Sequence, residues 1–181
     1  LAIGGGSGWN GCCNDPKVNV RDGIKAVTGA ELACPDGGVG GAGGTGGRGR
    51  GYSSLAADAD VVLAVVVPAK AGEGSDRSTL QLEAADVAMI RHYADDLNKT
   101  VVVAMNAPGP MIVTPWAAGA AAITVSWLPG VENGNGIARA LFNAGYEASG
   151  RLPFTFPRCR SEACTKEDEA ASVALGSWLL G

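Results

Sequence analysis

Three stretches of the chain are apolar almost without interruption: DVVLAVVV (60–67), TVVVAM (100–105) and AAITVSW (121–127). Their length and β-branched content fit strands, and their lack of polar alternation fits strands buried on both faces. Stretches with a helical period lie between and after them. In LEAADVAMIRHYADDL (82–97), Val87, Ile90, Ala94 and Leu97 fall on one face; in GNGIARALFNAG (134–145), Ile137 and Leu141 form the inner stripe. Parallel neighbours need a crossover long enough for a helix, so this alternation predicts an α/β fold. The expected architecture is a mostly parallel sheet with helices on both faces, an α/β sandwich of flavodoxin-like type.

The flanking sequence is less regular. VNVRDGIKAV (18–27) reads as the start of a helix, AELACPDG (30–37) as a short strand and turn, and SSLAADAD (53–60) as a short helix. GGVGGAGGTGGRGRG (37–51) is low-complexity and reads as a surface loop. RLPFTFP (151–157) reads as extended and closed by prolines, with a polar tail after it. The expected organisation is one α/β domain over 1–158, with the glycine-rich loop 37–51 inserted in it, and a tail over 159–181.

With 181 residues, 46% of them hydrophobic, the chain can bury one real core and is not of the disordered class. A net charge of −4 argues against a nucleic-acid partner, which needs clustered Lys and Arg. No apolar run reaches membrane-spanning length. The chain opens at Leu1 without a cleavable-signal pattern, as expected of a mature product or a fragment of something longer. Of the five cysteines, none forms a CxxC pair, and His92 is the sole histidine, so no metal site and no cofactor is expected. Cys159 and Cys164 flank a short loop and are candidates to pair, as is Cys12 or Cys13 with Cys34; the odd count leaves one thiol free or bonded elsewhere. Asn98-Lys99-Thr100 is a glycosylation sequon. Cysteines and sequon together lean toward a secreted or cell-wall protein.

GSGWNG (6–11) and GAGGTG (41–46) match GxGxxG, but neither follows a clear strand and opens a clean helix with a suitably placed acid. There is no GxxxxGK[ST] and no GxSxG. A nucleotide-binding domain is thus disfavoured, and His92 reads as a solvent-facing helix residue rather than a catalyst. Acidic chemistry remains. AGEGSDRSTL (71–80) comes after the first strand run, at a carboxyl end where such sheets bind ligands. Glu73 sits between Gly72 and Gly74, and glycosidic bond cleavage needs a carboxylic acid beside the leaving oxygen. Position alone leaves two readings open: Glu73 as a general acid with Asp76 and Arg77 shaping the loop, or Asp76 as a helix cap with Glu73 merely solvated. GNGIARALF has two readings: its glycines allow tight packing of the helix against the sheet, which is favoured, or Glu132 and Asn133 contact a ligand or a partner domain. Trp116 and Trp127 read equally as core or sugar-facing, and Trp9 as the better candidate for stacking on a sugar.

Taken in order, GGGSGWN, AADADVVLAVVV, AGEGSDRSTLQL, TVVVAMNAPGPMIVTPW, AAITVSWLPGVENGNGIARALF and SGRLPFTFP resemble the second, α/β-sandwich domain of glycoside hydrolase family 3, the β-glucosidase and β-xylosidase family. The resemblance covers residues 4–157. It implies a (β/α)8 barrel as partner domain, which carries the catalytic aspartate nucleophile, and a β-glycoside or polysaccharide as substrate. It implies Glu73 as the general acid/base, with Asp76 and Arg77 as structural or interdomain residues. No barrel and no nucleophile segment lie in this stretch, so the chain alone is expected to be inactive. Leu82-Glu83 replaces the usual leucine-proline, FNAGYEASGRLP replaces a short proline-containing turn, and the polyglycine loop is unusual. These departures leave an alternative: a non-catalytic structural or carbohydrate-interaction module of an extracellular assembly.

Overall fold

The computed structural model describes residues 18–30, 59–68, 74, 77–145 and 150–159. Among these, three parallel strands lie in the order β1 (Val61–Val66), β2 (Thr100–Asn106), β3 (Ala122–Ser126). Val61 pairs with Thr100 and Val66 with Met105; Val102 pairs with Ala122 and Asn106 with Ser126. Four helices flank them: α1 (Val20–Thr28), α2 (Ala84–Arg91), the single turn α3 (Thr114–Ala117) and α4 (Asn133–Leu141). The expected α/β sandwich is therefore present.

Alternation along β2 assigns the two layers. Val101, Val103 and Met105 face one cluster with Ala64, Val66, Ile90, Tyr93, Met111, Trp116 and Phe156; Ala104 faces the other with Val20, Ile24, Ile137 and Ala138. The first cluster is roofed by α2 and α3, the second by α1 and α4. Fully burying each of the large aliphatic side chains contributes roughly 1.5–3 kcal/mol, which is why β2, the central described strand, is apolar on both faces.

β1 departs from expectation. Ala64 and Val66 are buried, but Val61, Val65 and Val67 are 56%, 42% and 44% exposed. Its second face is only partly covered among the described residues: Leu63 packs against the cluster under α1 and α4, while Val61 and Val65 stand exposed. The helix after β1 also differs. It begins at Ala84 and passes into a π-helical turn, His92–Asp96, closed by Leu97 N–H donating to the His92 carbonyl at 3.1 Å. That wider turn shifts the helical register: Tyr93 is buried, and Leu97 is 37% exposed rather than on the inner face. Ala59 and Asp60 are not helical. The elements expected over 31–37, 37–51 and 53–58, and the tail from 160 onward, lie outside the described residues.

α1 and α4 cross through glycines. A Cβ on Gly23 would stand 2.2 Å from the Gly134 carbonyl oxygen, and a Cβ on Gly134 would stand 2.0 Å from the Asn19 carbonyl oxygen. The backbones also bond directly: Val18 N–H donates to the Val131 carbonyl and Gly134 N–H to the Val18 carbonyl, both at 3.0 Å. The glycine of GNGIARALF thus serves packing, as favoured from sequence, but against α1 rather than against the sheet.

Candidate functional site

In a parallel sheet with helices on both faces, ligands meet the loops beyond the carboxyl ends of the strands. Here the described residues at that edge are Gly74 and Arg77 after β1, residues 107–113 after β2, and residues 127–132 before α4. The φ of Gly74, +79°, falls in the left-handed region, while a Cβ there would meet nothing within 4 Å. Glycine is needed at this point for backbone conformation rather than for room.

Arg77 reaches from the first segment onto the second. Its Nη1 donates to Met111 Sδ at 3.1 Å, and its Nη2 would stand 3.2 Å from a Cβ on Gly109. A backbone bond runs alongside, Ile112 N–H to the Leu80 carbonyl at 2.8 Å. Met111 belongs to the core at 0% exposure, so the post-β1 segment is tied to a rigid part of the molecule.

Next to it, Asn106 ends β2 and Asn133 opens α4. The two amides exchange hydrogen bonds, Asn106 Nδ2 to Asn133 Oδ1 at 3.0 Å and Asn133 Nδ2 to Asn106 Oδ1 at 3.1 Å, and Asn106 Nδ2 also donates to the Ser126 carbonyl at 3.2 Å. At 2% and 5% exposure both side chains are internal. Burial without partners would cost each amide about 1–3 kcal/mol, so the reciprocal pair is what permits polar residues here. It fixes the end of β2 against α4. Asn133 is therefore a packing residue. Glu132, by contrast, accepts from Asn135 Nδ2 at 2.6 Å and lines a cleft of about 510 Å³ with Pro129, Gly136 and Arg139.

The aromatic residues divide. Trp116 is core at 1% exposure. Trp127, partly buried, packs against Phe154 and Phe156 with ring centroids 5.3 and 6.2 Å away, which draws the RLPFTFP segment against the end of β3. His92 is partly exposed, with Nδ1 2.8 Å from Asp96 Oδ2, as a solvent-facing residue would be. Asn98 is exposed in a left-handed turn, φ 48°, just before β2 and so at the amino edge of the sheet, opposite Arg77. Glu73, Asp76, Trp9, Cys12, Cys13, Cys34 and Cys164 lie outside the described residues; Cys159 lies within them and is not free. No helix among the described residues is long and apolar enough to cross a membrane.

Sequence reasoning missed Asn106, Gly109 and Met111. Only Asn106 carried a local signal, a polar residue closing an otherwise apolar strand run.

The chain matches the glycosyl hydrolase family 3 C-terminal domain over residues 1–175. Probable beta-glucosidase E of Emericella nidulans is 37% identical over 108 residues, which is 54% of this chain and 10% of that protein. Beta-glucosidase 3B from Thermotoga neapolitana, solved in complex with glucose, is similar at 31% identity and a TM-score of 0.52, covering 57% of this chain and 15% of that one. The same beta-glucosidase solved with glycerol aligns over 87% of this chain and 25% of that one, with a TM-score of 0.66 at 22% identity, a likeness of fold. The chain thus spans about a tenth of the length of the Emericella nidulans relative and 15–25% of the solved beta-glucosidase. It belongs to glycosyl hydrolase family 3, in the region that forms the family's C-terminal domain.

Proposed function

We propose that this chain is the second domain of a β-glucosidase- or β-xylosidase-like hydrolase, completing an active site over a separate (β/α)8 barrel and contributing Glu73 as the general acid/base. The observation that carries this reading is the family match over residues 1–175. It is supported by the station of the 71–80 loop, whose described end, Gly74 and Arg77, lies beyond the carboxyl end of β1. In the reaction, an aspartate of the barrel attacks the anomeric carbon and the glycosidic C–O bond breaks. Glu73 gives its proton to the leaving oxygen. Glu73, now a carboxylate, then takes a proton from water as the water oxygen displaces the aspartate. One carboxylate of the pair is absent from this stretch, so the stretch alone has no glycosidase activity.

Further parts of the proposal concern setting. Trp9 is a candidate to stack on a sugar ring, and Asp76 acts with Arg77 as loop scaffold. The α/β domain runs over 1–158, followed by a tail at 159–181. Cys159 pairs with Cys164, and Cys12 or Cys13 with Cys34, in a secreted or cell-wall protein. Asn98 carries a glycan; its exposure at the amino edge keeps such a group away from the barrel-facing edge.

The test is Glu73→Gln in the full-length enzyme, assayed on an alkyl β-glucoside, whose poor leaving group needs a proton. Turnover is expected to fall about 10²–10⁴-fold, with unchanged thermal unfolding. Unimpaired hydrolysis would sink the assignment and favour a non-catalytic module.

A further inference from the structure

We infer that Gly109 and Met111 form a seat for the Arg77 guanidinium, and that both are positioning residues for the acid/base step. The inference rests on Glu73 being the general acid/base.

Gly109 has no positive φ, so its backbone does not require glycine. Among the described residues the sole obstacle to a side chain there is Arg77, with Nη2 at 3.2 Å and Cζ at 3.8 Å from the added Cβ. The missing side chain at 109 is therefore space for the guanidinium. On its other nitrogen, Nη1 donates to the Met111 thioether. Sulfur of this kind is a weak acceptor, so the contact adds little strength. What it supplies is a fixed surface, because Met111 is wholly buried in the core cluster under α2 and α3. The Ile112–Leu80 backbone bond then fastens the two segments three residues beyond Arg77. The guanidinium and this bond together give the post-β1 segment two points of attachment to the post-β2 segment, and two points fix an orientation where one leaves a pivot.

Glu73 precedes Arg77 by four residues. An acid must stand within hydrogen-bond reach of the leaving oxygen, and displacement of a reacting group by about 1 Å costs on the order of 10²-fold in rate. A change in the seat is thus expressed in the proton-transfer step and not in sugar affinity.

The experiment uses the full-length enzyme and two substrates, an alkyl β-glucoside and a dinitrophenyl β-glucoside, whose leaving group departs without a proton. Glu73→Gln serves as the reference. Gly109→Val is expected to lower kcat/KM, which reports the acid-assisted first step, about 10–100-fold on the alkyl glucoside and by less than about threefold on the dinitrophenyl glucoside. Gly109→Ala gives a smaller effect of the same pattern and carries the test where Gly109→Val fails to fold. Arg77→Lys removes Nη2, so Gly109→Ala added to Arg77→Lys is expected to cost nothing further. Equal losses on both substrates, no loss on either, or additivity with Arg77→Lys would overturn the seat while leaving Glu73 in its role. Absence of leaving-group dependence in Glu73→Gln itself would overturn the catalytic reading and the inference with it.

Discussion

The two faces of the sheet are covered by opposite means. Under α2 and α3 the cover is made of large side chains, Ile90, Tyr93, Met111 and Trp116, packed onto Val101, Val103 and Met105. Over the other face α1 and α4 meet through Gly23 and Gly134, backbone against backbone, above a smaller apolar cluster of Val20, Ile24, Ala104, Ile137 and Ala138. The first face gains its stability from apolar area. The second adds close backbone approach to its smaller apolar area, and glycine inside a helix is normally a loss of about 0.5–1 kcal/mol against alanine. Here alanine is excluded by carbonyl oxygens rather than by flexible side chains. The side-chain face is accordingly expected to lose stability by degrees as atoms are removed, and the glycine face to fail at the first atom added.

Adding atoms to the glycine face is therefore the most damaging change. Overpacking typically costs about 1–3 kcal/mol because side chains and backbone shift; at Gly134 the obstacle is backbone at 2.0 Å, so the helices must part. Gly134→Val is expected to abolish cooperative unfolding, read as loss of the denaturant transition by circular dichroism. A cooperative transition shifted by less than about 1 kcal/mol would erase the contrast between the faces.

On the side-chain face, Trp116→Ala is expected to cost about 3–5 kcal/mol with the transition still cooperative. Trp116→Phe sharpens the point. Trp116 Nε1 is buried with no hydrogen-bond partner among the described residues. Phenylalanine removes that unsatisfied donor along with one ring, so its cost is expected to be well under half that of alanine. A Phe variant as unstable as the Ala variant would mean that the donor has a partner.

Much of this architecture is readable from the chain because apolar β-branched runs leave few alternatives: all three described strands lie where such runs fall. The departures share a cause. A regular 3.6-residue period extended through 92–96 points Leu97 inward, and the π-helical turn that breaks the period has no residue signature. The composition of β1 suits burial on both faces, but composition records what a strand can bury, not which neighbour reaches it. Gly23 and Gly134 announce permissiveness without naming each other, and Asn106 and Asn133 become partners only when β2 and α4 are brought together. At the candidate site, Glu73 is proposed from family resemblance, whereas the contacts of Arg77 with Gly109 and Met111 have no signal in the sequence, since neither residue carries chemistry of its own.

Asn106 and Asn133 stand on the glycine face by strand alternation, and they test whether that face tolerates a conservative loss. Removing one amide leaves the other buried and unpaired. Asn133→Ala or Asn106→Ala is expected to cost about 1–3 kcal/mol. The pair Asn106→Leu with Asn133→Leu removes both desolvation penalties and is expected to cost less than the sum of the two single alanine changes, provided the larger side chains fit. Additive losses in such a cycle, measured by urea titration, would show that the two amides do not depend on each other.

The smallest effect lies at the start of α1, where Asn19 uses both ends of its amide. Its Oδ1 accepts from Asp22 N–H at 2.9 Å, capping the helix, and its Nδ2 donates to Asp22 Oδ2 at 2.6 Å. Its backbone carbonyl is also the atom against which Gly134 rests, so the cap holds the crossing in register. Asn19→Ala is expected to cost about 1 kcal/mol, the usual loss of a cap. Asn19→Asp separates the two functions. Aspartate caps as well as asparagine, but it sets a second carboxylate against Asp22. Its deficit is expected to be below that of alanine and to shrink in about 1 M salt, where the screening length is about 3 Å, whereas the alanine deficit has no such electrostatic part. If the aspartate deficit does not respond to salt, the Nδ2 bond to Asp22 contributes nothing, and the asparagine at this position is explained by the cap alone.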